Sequence, residues 1–67
     1  MLILALDSAM NGCGVGLHDF NNNIHVAKKL EMTRGQADAL LPMIRDVLKE
    51  ARKDFKDIEM IAVTQGP

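Results

Sequence analysis

The chain has 67 residues, fewer than the about 100–200 of an ordinary domain, and a chain this short is marginally stable without a partner or further residues. Eight basic and nine acidic residues give a net charge of −1, which excludes a nucleic-acid binder that relies on a basic excess. No apolar run reaches the roughly 18 residues of a membrane span, and the first residues lack the basic region of a secretory signal. The single cysteine, Cys13, excludes an internal disulfide, so we expect a cytoplasmic protein without a membrane partner.

The first half of the chain predicts three strands. Residues 1–6 are apolar on both faces, which is typical of a strand inside a covered sheet, and residues 7–12 (DSAMNG) predict the turn that ends it. The second strand, over residues 12–17, places three glycines on one face, and glycines in a strand predict a close approach by another group. An asparagine-rich turn then leads to a half-buried third strand over residues 24–31.

The second half predicts a helix and a fourth strand. Apolar side chains recur at helical spacing over residues 37–55, after a capping-box pattern that ends at Gln36. Pro42 interrupts this pattern and predicts either a kink or a helix that begins near Asp38. Residues 58–64 (IEMIAVT) predict the last strand. The order β-β-β-α-β indicates an α/β fold in which an antiparallel three-strand meander is followed by a crossover helix and a fourth strand parallel to the first.

The residues that follow the first strand form one candidate site. Asp7 lies at the carboxyl end of a central strand, where open α/β sheets place ligands, and Ser8, Asn11 and Gly12 follow it in a tight turn. Such a turn presents backbone N–H groups to a phosphate, with Asp7 holding a magnesium ion through water. The alternative is that Asp7 and Asn11 only form Asx turns that stop the strand.

The wide apolar stripe of the helix forms a second candidate site. A crossover helix needs about 100° of apolar surface to pack on its sheet, whereas Met43 and Val47 widen the stripe to roughly 160°. Together with Leu40, these side chains predict a contact surface for a partner helix. The alternative is burial under further parts of the same protein.

The other reactive side chains predict no site. His18 and His25 face each other across a hairpin at best, without an acidic neighbour at metal-ligand spacing. Cys13 lies in a strand with no base in reach, so we expect a small buried hydrophobic residue rather than a nucleophile. Ser8 and Thr64 have no recognisable triad partner.

Three stretches together resemble the N-terminal segment of the bacterial TsaB (YeaZ) family: ILALDSAMNGCGVGL, RGQADALLPMI and DIEMIAVTQGP. This glycoprotease-like family comprises non-catalytic partner proteins in the synthesis of N6-threonylcarbamoyladenosine on tRNA. The resemblance covers residues 1–67 but only about the first third of a typical member. It therefore implies a truncated first actin-like subdomain, with the rest of that domain and the second domain absent from this chain.

The resemblance implies an actin-like (ASKHA, ribonuclease H-like) fold. Active members of that superfamily admit the nucleotide phosphates beside a glycine two residues after the aspartate, where this chain has Ala9, whose Cβ obstructs the approach. A degenerate phosphate turn is implied, with no cofactor in this segment and with ATP and magnesium bound weakly or by the partner. Many relatives have histidine at the position of Gln36, which leaves the role of that residue open.

The hypothesis that follows is a non-catalytic subunit that binds and activates a TsaD-type transferase, which transfers a threonylcarbamoyl group to adenosine in tRNA. The helix over residues 37–55 then forms a homodimer or heterodimer contact, and tRNA is bound only indirectly. One alternative is the N-terminal segment of an ATP-dependent kinase of the same superfamily, against which Ala9 argues. Another is a helix-mediated oligomerisation module.

Overall fold

The computed structural model describes residues 1–9, 12–31 and 36–65. Its elements are strands β1 (Ile3–Ala9), β2 (Gly12–Asp19) and β3 (Ile24–Glu31), helix α1 (Gln36–Ala51), a short 3₁₀ helix (Phe55–Asp57) and strand β4 (Met60–Gln65). The strands form one sheet in the order β3-β2-β1-β4, in which β1 and β2 are antiparallel, β2 and β3 are antiparallel, and β1 and β4 are parallel. The predicted α/β unit is confirmed.

The hydrophobic core lies between α1 and one face of the sheet. The face of β2 that alternates with the glycines is buried, as predicted, and Leu17 and Val47 are fully buried side chains. The other buried apolar residues are Leu2, Leu4, Cys13, Val15, Met43, Ile44 and Leu48. No helix in the described ranges is both long enough and apolar enough to cross a membrane.

Helix α1 is shorter at its C-terminus than the apolar spacing predicts. Arg52 adopts a left-handed conformation, with φ 59°, directly after the last helical residue. The N–H of Arg52 donates to the carbonyl of Lys49 at 3.1 Å, and the N–H of Lys53 donates to the carbonyl of Leu48 at 2.9 Å. These two bonds make a Schellman cap, which satisfies the last carbonyl groups of the helix. The prediction of a helix through residue 55 is therefore wrong, and Phe55 begins the separate 3₁₀ helix.

Helix α1 continues on both sides of its proline. The helix begins at Gln36, two residues before Asp38, and Pro42 lies inside it. The predicted capping box falls largely on residues 32–35, which lie outside the described part of the chain. Pro42 is exposed, so its ring contributes little to the core.

Both outer strands of the sheet expose apolar side chains. Leu30 is 42% exposed in β3, which is an edge strand of the sheet. In β4, Ile61 and Val63 are 60% and 67% exposed, although they pair with Leu4 and Leu6 on the side of the sheet that α1 covers. Helix α1 therefore packs mainly over β2 and β3 and leaves β4 bare on that side.

The β2–β3 turn is organised by Asp19. Its carboxylate is 5% exposed and accepts hydrogen bonds from the side-chain amide of Asn22 at 2.8 Å and from the backbone N–H of Asn21 at 3.1 Å. The N-terminal ammonium of Met1 lies 3.6 Å from the same carboxylate. The Asn22 side-chain bond, with help from the backbone amides and the ammonium, holds the pKa of Asp19 below its ordinary value of 3.8, although burial acts in the opposite sense.

The lowered pKa of Asp19 predicts a loss of stability in acid. Because the pKa is lower in the folded than in the unfolded state, the stabilisation is complete above the unfolded value of 3.8 and is lost as the pH falls through the folded value. We expect Asp19→Asn to lower the melting temperature at neutral pH and to flatten its fall in acid. Thermal melts of both full-length proteins from about pH 6 to about pH 2 measure this. Parallel curves for the two proteins would contradict it.

Candidate functional site at the open face of the sheet

The face of the sheet opposite α1 is lined mainly by small residues, and we call it the open face. One row of paired positions crosses all four strands, and the next row lies two residues further along each strand. The first row is Ala62, Ala5, Gly16 and Ala27, and the second is Thr64, Asp7, Gly14 and Lys29. Together they floor a shallow hollow of about 340 Å³.

Asp7 and Thr64 form the polar end of this hollow. The parallel register of β1 and β4 places the two residues side by side. The Thr64 hydroxyl donates to Asp7 Oδ1 at 2.9 Å and lies 3.4 Å from the Leu6 carbonyl oxygen. The carboxylate is exposed, and its second oxygen remains available as an acceptor for a cation or a donor.

The predicted phosphate turn differs from what the structure shows. Asp7 and Ser8 are strand residues, since β1 continues to Ala9 and pairs Asp7 with Gly14 and Ser8 with Cys13. The prediction that the first strand ends at Leu6 is therefore wrong, because β1 gains ladder partners on both sides from β2 and β4. Gly12 is the first residue of β2, and Asn11 lies outside the described residues. The role of the four residues in binding a phosphate stays a prediction.

The glycines of β2 are approached by atoms of the chain itself. A Cβ at Gly16 would lie 2.7 Å from His18 Nε2, and a Cβ at Gly12 would lie 2.5 Å from the Leu30 carbonyl oxygen. At Gly14 the nearest atom would be 3.7 Å away, which is an ordinary contact. The close approach that the glycines predict is thus present at Gly12 and Gly16, and no ligand is needed to explain it.

The helix residues that were predicted to contact a partner lie mostly in the core. Met43 is 7% exposed and Val47 is 0% exposed, so the prediction that they form a flank free of the sheet is wrong. Leu40 is half-buried and packs against the core, whereas Leu41 is 48% exposed. Met43 and Val47 belong to the core cluster together with side chains of β1 and β2, so the apolar stripe that α1 buries is wider than the about 100° that the prediction assumed.

The cysteine and the two histidines lie where the sequence predicted. Cys13 is buried and its Sγ lies 3.5 Å from Met43 Sδ, as expected for a residue of the core. His18 and His25 face each other directly across β2 and β3. Within the described ranges, no group of three or more His, Cys, Asp or Glu side chains is placed to hold a metal ion.

Two features of the site were not predicted from the sequence. The Asp7–Thr64 pair was predictable in principle, because aligning the carboxyl ends of two parallel strands brings these residues into register. The exposure of Leu41 could not be predicted, because it depends on how far the sheet extends under α1.

The burial of Val47 predicts a contrast in stability. We expect Val47→Ala to lower the free energy of unfolding by about 2 kcal/mol, since it leaves a cavity in the core. Leu41→Ala is the matched control at an exposed position of the same helix, with an expected change of less than about 0.5 kcal/mol. Urea denaturation of both full-length variants measures this. Equal losses would show that Val47 is not the more buried residue.

The Asp7 end of the hollow predicts weak nucleotide binding. One carboxylate, already bonded to Thr64, and a Ser8 within the strand offer fewer phosphate contacts than a loop of free amides. We expect calorimetry of the full-length protein with Mg-ATP to detect weak binding or none. A micromolar affinity that Asp7→Ala abolishes would contradict this and favour the kinase alternative.

The chain is similar to proteins of tRNA modification. It is 34% identical over 65 residues to the tRNA threonylcarbamoyladenosine biosynthesis protein TsaB of Buchnera aphidicola subsp. Baizongia pistaciae, covering 97% of this chain and 28% of that protein. Its identity to the protein of the same name from Buchnera aphidicola subsp. Acyrthosiphon pisum is 26% over 66 residues, which cover 98% of this chain and 29% of that protein. No family model matches the chain.

A solved structure shares the fold. YeaZ from Pseudomonas aeruginosa superposes on the chain with a TM-score of 0.85 at 33% identity, over 98% of this chain and 30% of that one. The chain thus spans less than a third of the length of these relatives. Sequence and fold agree along nearly the whole of the 67 residues. Over nearly its whole length, the chain is therefore similar in sequence and in fold to a segment of the TsaB (YeaZ) proteins.

Proposed function

We propose that this chain is part of a subunit that supports threonylcarbamoyl transfer to adenosine in tRNA by binding and activating a TsaD-type transferase. The observation that carries the proposal is the match of sequence and fold, along nearly the whole chain, to proteins named for threonylcarbamoyladenosine biosynthesis. The subunit acts in the cytoplasm, and tRNA reaches it only through the partner.

The polar groups of the open face are consistent with a supporting role. Asp7 has the Thr64 hydroxyl as its neighbour rather than a second carboxylate, and general acid–base catalysis on a pair of carboxylates needs both. Cys13 is buried in the core, away from any substrate that approaches from solvent. The transfer chemistry is therefore assigned to the partner.

The partner contact is assigned to the exposed part of α1. Leu40 and Leu41 are large apolar side chains of this helix that are not fully buried, and Arg45, one helical turn after Leu41, is exposed. Burial of a leucine in an interface contributes roughly 1.5–3 kcal/mol. A polar rim around an apolar centre is the usual anatomy of such an interface.

Substitution of Leu41 tests the partner contact. We expect Leu41→Asp to weaken binding of the full-length protein to a TsaD-type transferase by about tenfold or more, since 1.4 kcal/mol is a factor of ten. Thermal melting should change little, because Leu41 is half exposed. Asp46→Ala, at an exposed position of the same helix, is the control and should leave binding within about twofold.

Calorimetric titration and the rate of threonylcarbamoyl transfer by the partner measure the two parts of the proposal. Unchanged binding of a folded Leu41→Asp protein would move the interface away from α1. No binding and no stimulation by the unsubstituted protein would overturn the proposed function itself.

A further inference from the structure

Two imidazoles converge at one end of the open face. His18 on β2 and His25 on β3 are directly opposed in the antiparallel register. Their Nδ1 atoms lie 3.2 Å apart, and the ring centroids are 5.5 Å apart with the planes tilted by 47°. Both side chains have access to solvent. With one ring protonated on Nδ1, this geometry is an N–H···N hydrogen bond; with neither ring so protonated, two nitrogen lone pairs lie within 3.2 Å of each other with no proton between them.

Neighbouring residues hold the two rings in this arrangement. The ring of His18 lies over Gly16, where a Cβ would be 2.7 Å from Nε2, so only glycine admits this orientation without a shift. The ring of His25 packs edge-on against Phe20, with centroids 5.3 Å apart at 63°. Each imidazole thus has a contact outside the pair that orients it, and the direct opposition on neighbouring strands fixes the spacing of the backbones.

The Nδ1 separation fits a bidentate metal site. A zinc–imidazole bond is about 2.0–2.1 Å long. Two such bonds at a right angle, as in square-planar Cu²⁺ sites, place the nitrogens about 2.9 Å apart, and a tetrahedral angle places them about 3.4 Å apart. The observed 3.2 Å lies between these values.

We propose that His18 and His25 bind one divalent late transition-metal ion through their Nδ1 atoms at the edge of the open face. Binding requires both rings to carry their proton on Nε2, so the ring that donates on Nδ1 in the hydrogen-bonded pair changes tautomer. Water fills the remaining coordination positions. Imidazole ligands and the order of divalent affinities favour Cu²⁺ over Ni²⁺ and Zn²⁺.

Titration of the full-length protein with Cu²⁺ alone tests the site. We expect one ion to bind per chain with an affinity that falls by about tenfold or more in His18→Ala and in His25→Ala, at least the cost of losing an outer-shell partner. The double variant should lose little more than either single variant, because a chelate is broken by the loss of one arm. Electron paramagnetic resonance of the bound Cu²⁺ should show coupling to imidazole nitrogens that both single variants weaken. Any Cu²⁺ binding that remains in the double variant comes from other groups, including the N-terminal amine. This background is subtracted from the binding of the unsubstituted protein and of the single variants.

Gly16 supplies an independent test that keeps both ligands. We expect Gly16→Ala to weaken Cu²⁺ binding, although less than the loss of a histidine, because the new methyl group displaces the His18 ring. Gly14→Ala is the matched control, since its Cβ would make only ordinary contacts. Circular dichroism confirms folding of each variant. The proposal would be overturned if both histidine variants bound Cu²⁺ within about twofold of the unsubstituted protein. It would also be overturned if the losses of the two single variants added in the double variant, as expected for two independent sites.

Discussion

The packing of one helix on one face of the sheet is the constraint on which the rest of this structure depends. The fully buried Val47 and Leu17 come from the two sides of that contact. Since α1 is the one α-helix in the described residues, the apolar burial of the chain is concentrated on this side. The register of β2 follows, because a shift by one residue would turn Val15 and Leu17 away from the helix.

The same constraint determines what the opposite face carries. A strand residue that does not face α1 gains no burial from it, so small and polar side chains are tolerated there. Ala5, Gly16 and Ala27 accordingly form a flat row, and Asp7 and His18 lie on the rows to either side of it. The face of the sheet that α1 covers thus holds the core, and the open face holds the two polar pairs.

The strands were predictable because a short sequence displays apolar runs and alternation directly, and their order was predictable because tight turns join antiparallel strands whereas a crossover helix joins parallel ones. The alternation of Cys13, Val15 and Leu17 with glycines is enough to identify the buried face of β2. The end of α1 was not predictable, because Arg52 occupies the left-handed position that usually signals itself by glycine or asparagine. The burial of Val47 was missed for a related reason, since the width of an apolar stripe does not reveal how much sheet lies beneath it. The position of Asp7 in the candidate site was predictable. The strand conformation of Asp7 and Ser8 was not, because the length of β1 depends on the neighbouring strands that pair with it.

The two polar pairs of the open face lie on either side of the flat row. Asp7 and Thr64 are two residues from Ala5 and Ala62 in one direction, and His18 is two residues from Gly16 in the other. Successive residues on one face of a strand are about 7 Å apart, so the pairs are separated by about 14 Å. Any group that lies on the row therefore meets a carboxylate at one side and an imidazole at the other. Gly16 links the row to the histidines, because the space above it is occupied by the ring of His18. A larger residue at position 16 would alter the floor of the hollow and the histidine pair together, so the two features are coupled through one glycine.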